Sequence, residues 1–335
     1  MSIKTIKYKD YSHNPPIVWV DTNIVIGMRD ALSNNSRQNP DDKLKFTKLY
    51  RVLKDKVDKD EIICPFSGQR TEYSDGDHLE ESDDILLRLS KGFQVSRWQI
   101  RHIQVKRILE CFLKKEDEFY FSDSDLVYRE QKVEDAEYPF KIVILNEKSK
   151  KQNRDLLFVD LERRKKEVKD LGMTYDQVYK SEYDAAISVL QKSIRNVIKK
   201  HGYLKTDFTL NNDEYHHLYT VVELSKLADT SDEKILFGLL RNFFTSSYFY
   251  SIPIDRISSA IISHIMTEGN IVSKNDIGDI DNLSSILPYT SYILTENRMA
   301  HILKTRKFDS EFSVNIFRIN EIDNFIEILE SKFVE

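Results

Sequence analysis

Short continuous apolar runs, rich in β-branched and aromatic residues, lie near both ends of the chain. They cover residues 17–20, 62–65, 292–295 and 314–317. Runs of this length and type are typical of strands that are buried on both faces, as in a parallel sheet. Segments with apolar residues at helical spacing follow them, such as Leu44, Phe46, Leu49 and Leu53. This order of elements predicts an α/β architecture.

The stretch between these ends has a different pattern. Its apolar residues recur at helical spacing in a background that is dense in charge and poor in glycine, as in an exposed helical bundle. The predicted helices cover about 83–115, 154–171, 174–201, 213–227 and 232–248, and the predicted strand among them covers 140–145. We therefore predict a discontinuous α/β domain formed by residues 1–75 and 251–335, with residues 76–250 as a mainly helical insertion.

Composition narrows the function classes. The chain has 335 residues with a hydrophobic share of 40%, which suits one large domain or two of ordinary size. Its net charge is −5, so a contact with nucleic acid has to come from a local basic patch. Cys64 and Cys111 are too few and too isolated for a disulfide framework or a zinc site. Since neither a leader-like segment nor an apolar stretch of ~18 residues occurs, we expect a cytoplasmic protein without a membrane partner.

Acidic residues follow three of the apolar runs. Asp21 comes directly after the first run, Glu72 follows the second, and Glu296 comes directly after the third. The carboxyl ends of parallel strands line one crevice, and Asp276 and Asp279 would join it from the start of a helix. Converging carboxylates need a counter-charge, and Mg²⁺ or Mn²⁺ prefers oxygen ligands. The reaction usual for such a site is displacement at phosphorus.

Four segments carry these acids in a fixed order. They are Val20-Asp21-Thr22-Asn23-Ile24, then Cys64-Pro65 followed by Glu72, then Asp279-Ile280-Asp281-Asn282-Leu283-Ser284-Ser285, and last Leu294-Thr295-Glu296-Asn297. Together they resemble the motifs of the PIN-domain nucleases over residues 16–75 and 251–335. Glu296 stands where the family commonly has aspartate. The region 76–250 is far larger than its counterpart in the small toxin nucleases of the family.

The resemblance implies a PIN-like three-layer α/β/α fold with a mostly parallel central sheet and a large helical insertion. It implies that Asp21, Glu72, Asp279 and Glu296 are catalytic and bind Mg²⁺ or Mn²⁺, with Asp276 as a further metal ligand. It also makes RNA the expected substrate, because most of the family cuts RNA. DNA stays open, since a metal-assisted displacement does not need the 2′-OH. Toxin-like and defence-related roles both suit the family.

Several of these residues have simpler interpretations. Asn23 and Thr295 are candidates to orient the metal ligands through hydrogen bonds, but turn chemistry explains both equally well. Asp21 is also a good helix N-cap, a role that aspartate fills in any protein. Glu72 alone carries the weakest signal, since a surface glutamate on a helix is commonplace.

Basic residues in the helical region offer a contact for the substrate. The run formed by Lys148, Lys150, Lys151 and Arg154 has the fewest acids nearby and is the predicted nucleic-acid contact. Such runs are most often solvated helix faces. The same helices also suit a protein partner or a homo-oligomer. The competing class is therefore a catalytically inactive PIN-like scaffold that mediates assembly through residues 76–250.

A further alternative comes from one helix of the middle region. Arg97 and His102 have the Arg-x4-His spacing of the metal-independent HEPN ribonucleases. A chain with this many arginines contains that spacing often by chance. If it were functional, cleavage would survive EDTA and would be lost in His102→Ala.

Overall fold

The computed structural model describes the chain in eight stretches. They are residues 7–8, 14–33, 38–69, 79–122, 125, 128–129, 147–204 and 212–332. Glu72 and the predicted strand 140–145 lie outside the described residues. Within the described stretches, every helix is too short or too polar to cross a bilayer.

Helices dominate, and the strands are short. The strands are β1 (Lys7–Tyr8), β2 (Val18–Val20), β3 (Phe93–Gln94), β4 (Glu118–Phe119), β5 (Tyr128–Arg129), β6 (Tyr292–Thr295) and β7 (Asn315–Arg318). The helices are α1 (Thr22–Leu32), α2 (Pro40–Asp58), α3 (Leu79–Ser90), α4 (Arg97–Lys114), α5 (Glu147–Asp170), α6 (Tyr175–His201), α7 (Asn212–Leu227), α8 (Glu233–Phe244), α9 (Pro253–Thr267), α10 (Asn275–Ile286), α11 (Asn297–Thr305), α12 (Phe308–Glu311) and α13 (Ile322–Lys332).

The strands near the two ends of the chain form one parallel sheet in the order β2-β6-β7. Its register pairs Trp19 with Ile293 and Ile293 with Ile316. All three strands are rich in β-branched and aromatic residues, which suits a sheet that is buried on both faces. The α/β class predicted from the apolar runs is confirmed.

The apolar run 62–65 forms less strand than we predicted. Ile63 makes a single parallel bridge to Ile17, and Phe66 makes another to Gln94. Pro65 lies between the two bridges and has no N–H to donate to a neighbouring strand. The chain therefore leaves β2 at the proline and pairs with β3 instead.

The chain divides into two compact units. The sheet unit comprises Asp10–Arg97, Phe121–Arg164 and Asn270–Glu335, and the helical unit comprises Met1–Lys9, Trp98–Tyr120 and Lys165–Gly269. These boundaries differ from the predicted domains at three helices, since residues 147–164 of α5 also belong to the sheet unit. α3 packs on α1 and α2 and belongs to the sheet unit, and α9 packs on α6 and belongs to the helical unit.

The core of the sheet unit lies between the sheet and helices α1, α2, α3 and α13. Val20 and Leu294 from neighbouring strands are almost fully buried in it, together with Ile24, Leu49 and Phe325 from the helices. Burial of such side chains stabilises the fold by about 1.5–3 kcal/mol each. The core thereby fixes the carboxyl ends of β2 and β6 beside each other.

The single helix predicted at 83–115 is wrong, because the structure has two helices there. Lys91 and Gly92 both have positive φ angles of 48° and 81°, which a continuing right-handed helix does not allow. Gly92 adopts this conformation without a steric penalty, so α3 ends and β3 follows.

The longest helix of the helical unit is α6, and its limits are encoded locally. Thr174 and Gln177 form a capping box at its start, and Gly202 ends it with a φ of 81°. Leu190, Ile194 and Val197 line its buried face. The helix packs on α7 and α9 within the same unit.

Candidate functional site

Asp21 lies at the carboxyl end of β2 and is the N-cap of α1. Its Oδ1 accepts a hydrogen bond from the backbone N–H of Asn23 at 3.3 Å. Its Oδ2 accepts one from the Thr295 hydroxyl at 2.6 Å and one from the backbone N–H of Glu296 at 3.4 Å. Capping therefore accounts for one oxygen only, while the other ties the ends of β2 and β6 together.

The Asp21 carboxyl is also buried, with 1% of the residue exposed. Removal from water raises the pKa of Asp21, and the hydrogen bonds from Thr295, Asn23 and Glu296 reduce that rise without cancelling it. A helix N-cap does not need such burial, because one solvated carboxylate oxygen suffices for capping. The site thus holds a carboxyl at a free-energy cost that a capping role does not explain.

Glu296 follows β6 directly and is the N-cap residue of α11, but its side chain makes no capping hydrogen bond. Burial raises the pKa of Glu296, and the nearby charges of Asp21 and Asp276 raise it further. Arg298 acts in the opposite direction. The structure therefore brings two other predicted site residues, Asp21 and Asp276, within electrostatic reach of Glu296.

Asp276 lies in the first turn of α10 with 1% of the residue exposed. Its Oδ2 accepts a hydrogen bond from the backbone N–H of Ser273 at 2.8 Å. The Arg298 Nη1 lies 2.8 Å and 3.1 Å from its two oxygens. Arg298 thus supplies a counter-charge from within the chain, although no motif in the sequence points to this residue.

Asp279 is one helical turn further along α10 and is 3% exposed. Residues three apart share a helix face, so Asp276 and Asp279 lie on the same buried side of α10. Asp281, by contrast, is partly exposed and forms an ion pair with Arg97. Of the three aspartates on this helix, Asp281 is therefore the surface charge.

Hydrogen bonds connect the loop that follows the Ile63 bridge to α10. The Asn282 Oδ1 accepts hydrogen bonds from the Ser67 hydroxyl at 2.9 Å and from the backbone N–H of Gly68 at 2.7 Å. The Gln69 side chain donates to the carbonyl oxygen of Val20 at 3.0 Å. These bonds join the end of β2, α10 and the segment that leads toward residue 72.

The predicted nucleic-acid contact of Lys148, Lys150, Lys151 and Arg154 lies on α5. The side chains of these residues are outside the described part of the structure, so their contacts stay a prediction. Arg97 and His102, the two residues of the HEPN alternative, make different contacts. Arg97 pairs with Asp281, and the His102 ring stacks on Tyr219 with centroids 3.8 Å apart.

The donor set fits a hard divalent ion better than any other metal, since it consists of carboxylates. Among the residues described, no three His, Cys, Asp or Glu side chains gather closely enough to enclose one ion. Mg²⁺ does not require such a cage, because it usually binds one or two carboxylates, several waters and substrate phosphates. Asp21 and Glu296 could supply these one or two carboxylates.

The chain was compared with protein-family models, curated proteins and solved structures. No family model, no curated protein and no solved structure matches it.

Proposed function

We propose that this protein is a PIN-like, metal-dependent phosphodiester hydrolase that cuts RNA at the carboxyl ends of β2 and β6. The observation that carries the proposal is the burial of Asp21 with Glu296 beside it. Two neighbouring carboxyls in a poorly solvated site are unfavourable for folding, and a fold retains them where they serve a ligand.

The charges of the site favour a cationic ligand. Arg298 contacts Asp276 directly, so that carboxylate already has a cation. Burial raises the pKa of Glu296, and the charges of Asp21 and Asp276 add to this rise in spite of Arg298. A divalent ion between Asp21 and Glu296 would remove this repulsion.

In the proposed site, Asp21 and Glu296 would hold the ion, and Asp279 and Glu72 are the remaining candidates to ligate it. A bound Mg²⁺ or Mn²⁺ would supply an activated water and neutralise charge on the phosphate oxygens. Thr295 orients the Asp21 carboxylate through its hydroxyl, and the backbone of Asn23 orients the other oxygen. The Arg298–Asp276 pair keeps α10 and α11 together at the edge of the site.

The choice of RNA rests on the resemblance to PIN-domain nucleases. DNA is the alternative substrate, because nothing in the carboxylate site discriminates a 2′-OH. The alternative class is an inactive scaffold, in which the acids are structural and the helices mediate assembly.

The test is cleavage of labelled RNA and DNA in Mn²⁺ by the wild type and by Asp21→Asn. Asp232→Asn is the matched control, because Asp232 is also an aspartate N-cap and accepts from Lys234 and Ile235. Asparagine caps helices as well as aspartate does, so capping alone predicts no change in either variant. We expect cleavage to fall by roughly 100-fold or more in Asp21→Asn only, as it does when a group that stabilises the transition state is removed.

Equal activity in the wild type and Asp21→Asn, or no cleavage by either, would contradict the proposal. Cleavage that survives EDTA and disappears in His102→Ala would instead support the HEPN alternative.

A further inference from the structure

The second half of α6 carries an unusual concentration of positive charge. Between Asp184 and Asp207 the sequence contains no acidic residue. The basic residues in this interval are Lys192, Arg195, Lys199, Lys200, His201 and Lys205. The whole chain has more acidic than basic residues, whereas this interval contains basic residues and no acidic one.

Three of these cations share one exposed stripe, formed by Lys192, Arg195 and Lys199. At about 100° per residue they fall within roughly 60° of one another. They lie opposite the buried face of Leu190 and Val197. Over this stripe the cations extend for about 10 Å along the helix axis.

Among the described residues, the stripe has no carboxylate partner. Within the described residues, no carboxylate lies at ion-pair distance from Lys192, Arg195 or Lys199. The Arg195 Nε instead donates a hydrogen bond to the carbonyl oxygen of Gln191 at 3.3 Å, within the same helix. An acid at a neighbouring position stabilises a cation on a helix surface, as Asp58 does for Lys54 in α2.

The C-terminal end of a helix favours cations, but this effect explains only part of the stripe. The helix dipole stabilises positive charge within the last turn, which includes Lys199, Lys200 and His201. Arg195 and Lys192 lie more than one turn before the end of α6. Like charges placed close together on a helix destabilise it, so their retention without acids points to a ligand.

We propose that this stripe binds the sugar-phosphate backbone of a single-stranded nucleic acid. A row of cations without acids complements a row of phosphates. Tyr203 follows the helix with 55% of the residue exposed, and it offers a ring on which a base can stack. The choice of RNA as the probe rests on the proposed function, while the binding itself does not depend on cleavage.

The experiment measures binding of the full chain to a labelled single-stranded RNA in EDTA, by fluorescence anisotropy over a series of salt concentrations. The test variant is Lys192→Gln/Arg195→Gln/Lys199→Gln. Each phosphate contact contributes about 0.7 to the slope of log affinity against log salt. We expect the slope to become less negative by about 2 when three contacts are lost, with an affinity loss of roughly tenfold or more at low salt.

The matched control is Lys106→Gln/Lys114→Gln/Lys115→Gln, which removes the same charge from an exposed part of the same unit. Those lysines lie among the acids Glu110, Glu116, Asp117 and Glu118. We expect their loss to change the affinity less than about twofold and leave the slope nearly unchanged. Lys192→Arg/Lys199→Arg keeps the charge and should bind as the wild type does.

Three results would overturn the inference. They are the absence of RNA binding by the wild type, an equal loss of affinity in the test and control variants, and binding of anionic phospholipid vesicles in place of RNA. RNA binding without any cleavage in Mn²⁺ would contradict the proposed function alone. Cleavage by a protein whose stripe variant binds RNA normally would contradict this inference alone.

Discussion

The sheet unit and the helical unit place their charged side chains differently. At the end of β2 and β6 the chain buries carboxyls and supplies one cation, Arg298, for one of them. Along the second half of α6 it exposes cations, and no acid occurs between Asp184 and the end of the helix. Burial makes each charge of the first region expensive to leave unpaired, whereas water screens the charges of the second. The same substitution is therefore expected to affect folding in one region and ligand binding in the other.

The largest expected effect comes from removing the cation of the sheet unit. Arg298→Met leaves Asp276 buried without its counter-charge, so we expect a loss of about 3–5 kcal/mol in the free energy of unfolding. Arg195→Met on α6 should change it by less than about 0.5 kcal/mol. Chemical denaturation at pH 7 measures both values.

The double variant Arg298→Met/Asp276→Asn serves as the control, because it removes the buried charge together with its partner. It should recover most of the stability that Arg298→Met loses. If Arg298→Met costs no more than Arg195→Met, the contrast between the two units is wrong.

A smaller effect is expected from alanine at two glycines. A Cβ on Gly68 would lie 2.6 Å from the Asn282 Oδ1, and Asn282 is buried and held by hydrogen bonds. We expect Gly68→Ala to cost about 1–3 kcal/mol. Gly238 lies within α8 with no atom near its Cβ direction, so Gly238→Ala should stabilise the protein by about 0.5–1 kcal/mol. Thermal melts of both variants check the difference, and a loss in neither would show that the loop can shift away.

The smallest effect is a pH dependence from Asp21. Its pKa is raised in the folded state above the ordinary value of 3.8, so the folded state binds the proton more tightly than the unfolded state does. The stability that this provides is present at low pH and is lost as the pH rises through the folded pKa. In metal-free buffer, the wild type should therefore lose stability relative to Asp21→Asn as the pH rises above the ordinary carboxyl pKa of about 4.

Paired urea titrations of the two proteins at several pH values measure this difference, in which titrating groups that do not interact with Asp21 cancel. A difference that stays constant, or that moves in favour of the wild type as the pH rises, would show that Asp21 is well solvated. Addition of Mn²⁺ should restore the wild type and leave Asp21→Asn unchanged, since a ligand stabilises only the state that binds it.

Much of the sheet could be predicted from the sequence, because a continuous apolar run has few structural interpretations. The runs at 17–20, 292–295 and 314–317 became neighbouring parallel strands. The run at 62–65 pairs with β2 only at Ile63. Its proline limits the pairing, but the sequence does not show which neighbouring strand the proline would face. The break at Gly92 was missed because a lone glycine does not disclose its φ angle.

The site was harder to predict than the sheet. Asp21 and Glu296 could be found because they directly follow strands. Asp276 and Asp281 look alike in the sequence, and only the packing of α10 buries one of them and exposes the other. The Arg298–Asp276 pair and the bond from Gln69 to Val20 join distant positions, which no local pattern specifies.

The bond between Thr295 and Asp21 joins residues that are 274 positions apart. During synthesis the N-terminal part of a chain emerges first, at about 5–20 residues per second. β2, which ends just before Asp21, is therefore synthesised well before β6. Asp21 cannot bond to Thr295 until β6 leaves the ribosome. The order of synthesis therefore delays the acidic site until β6 has been made and has paired with β2.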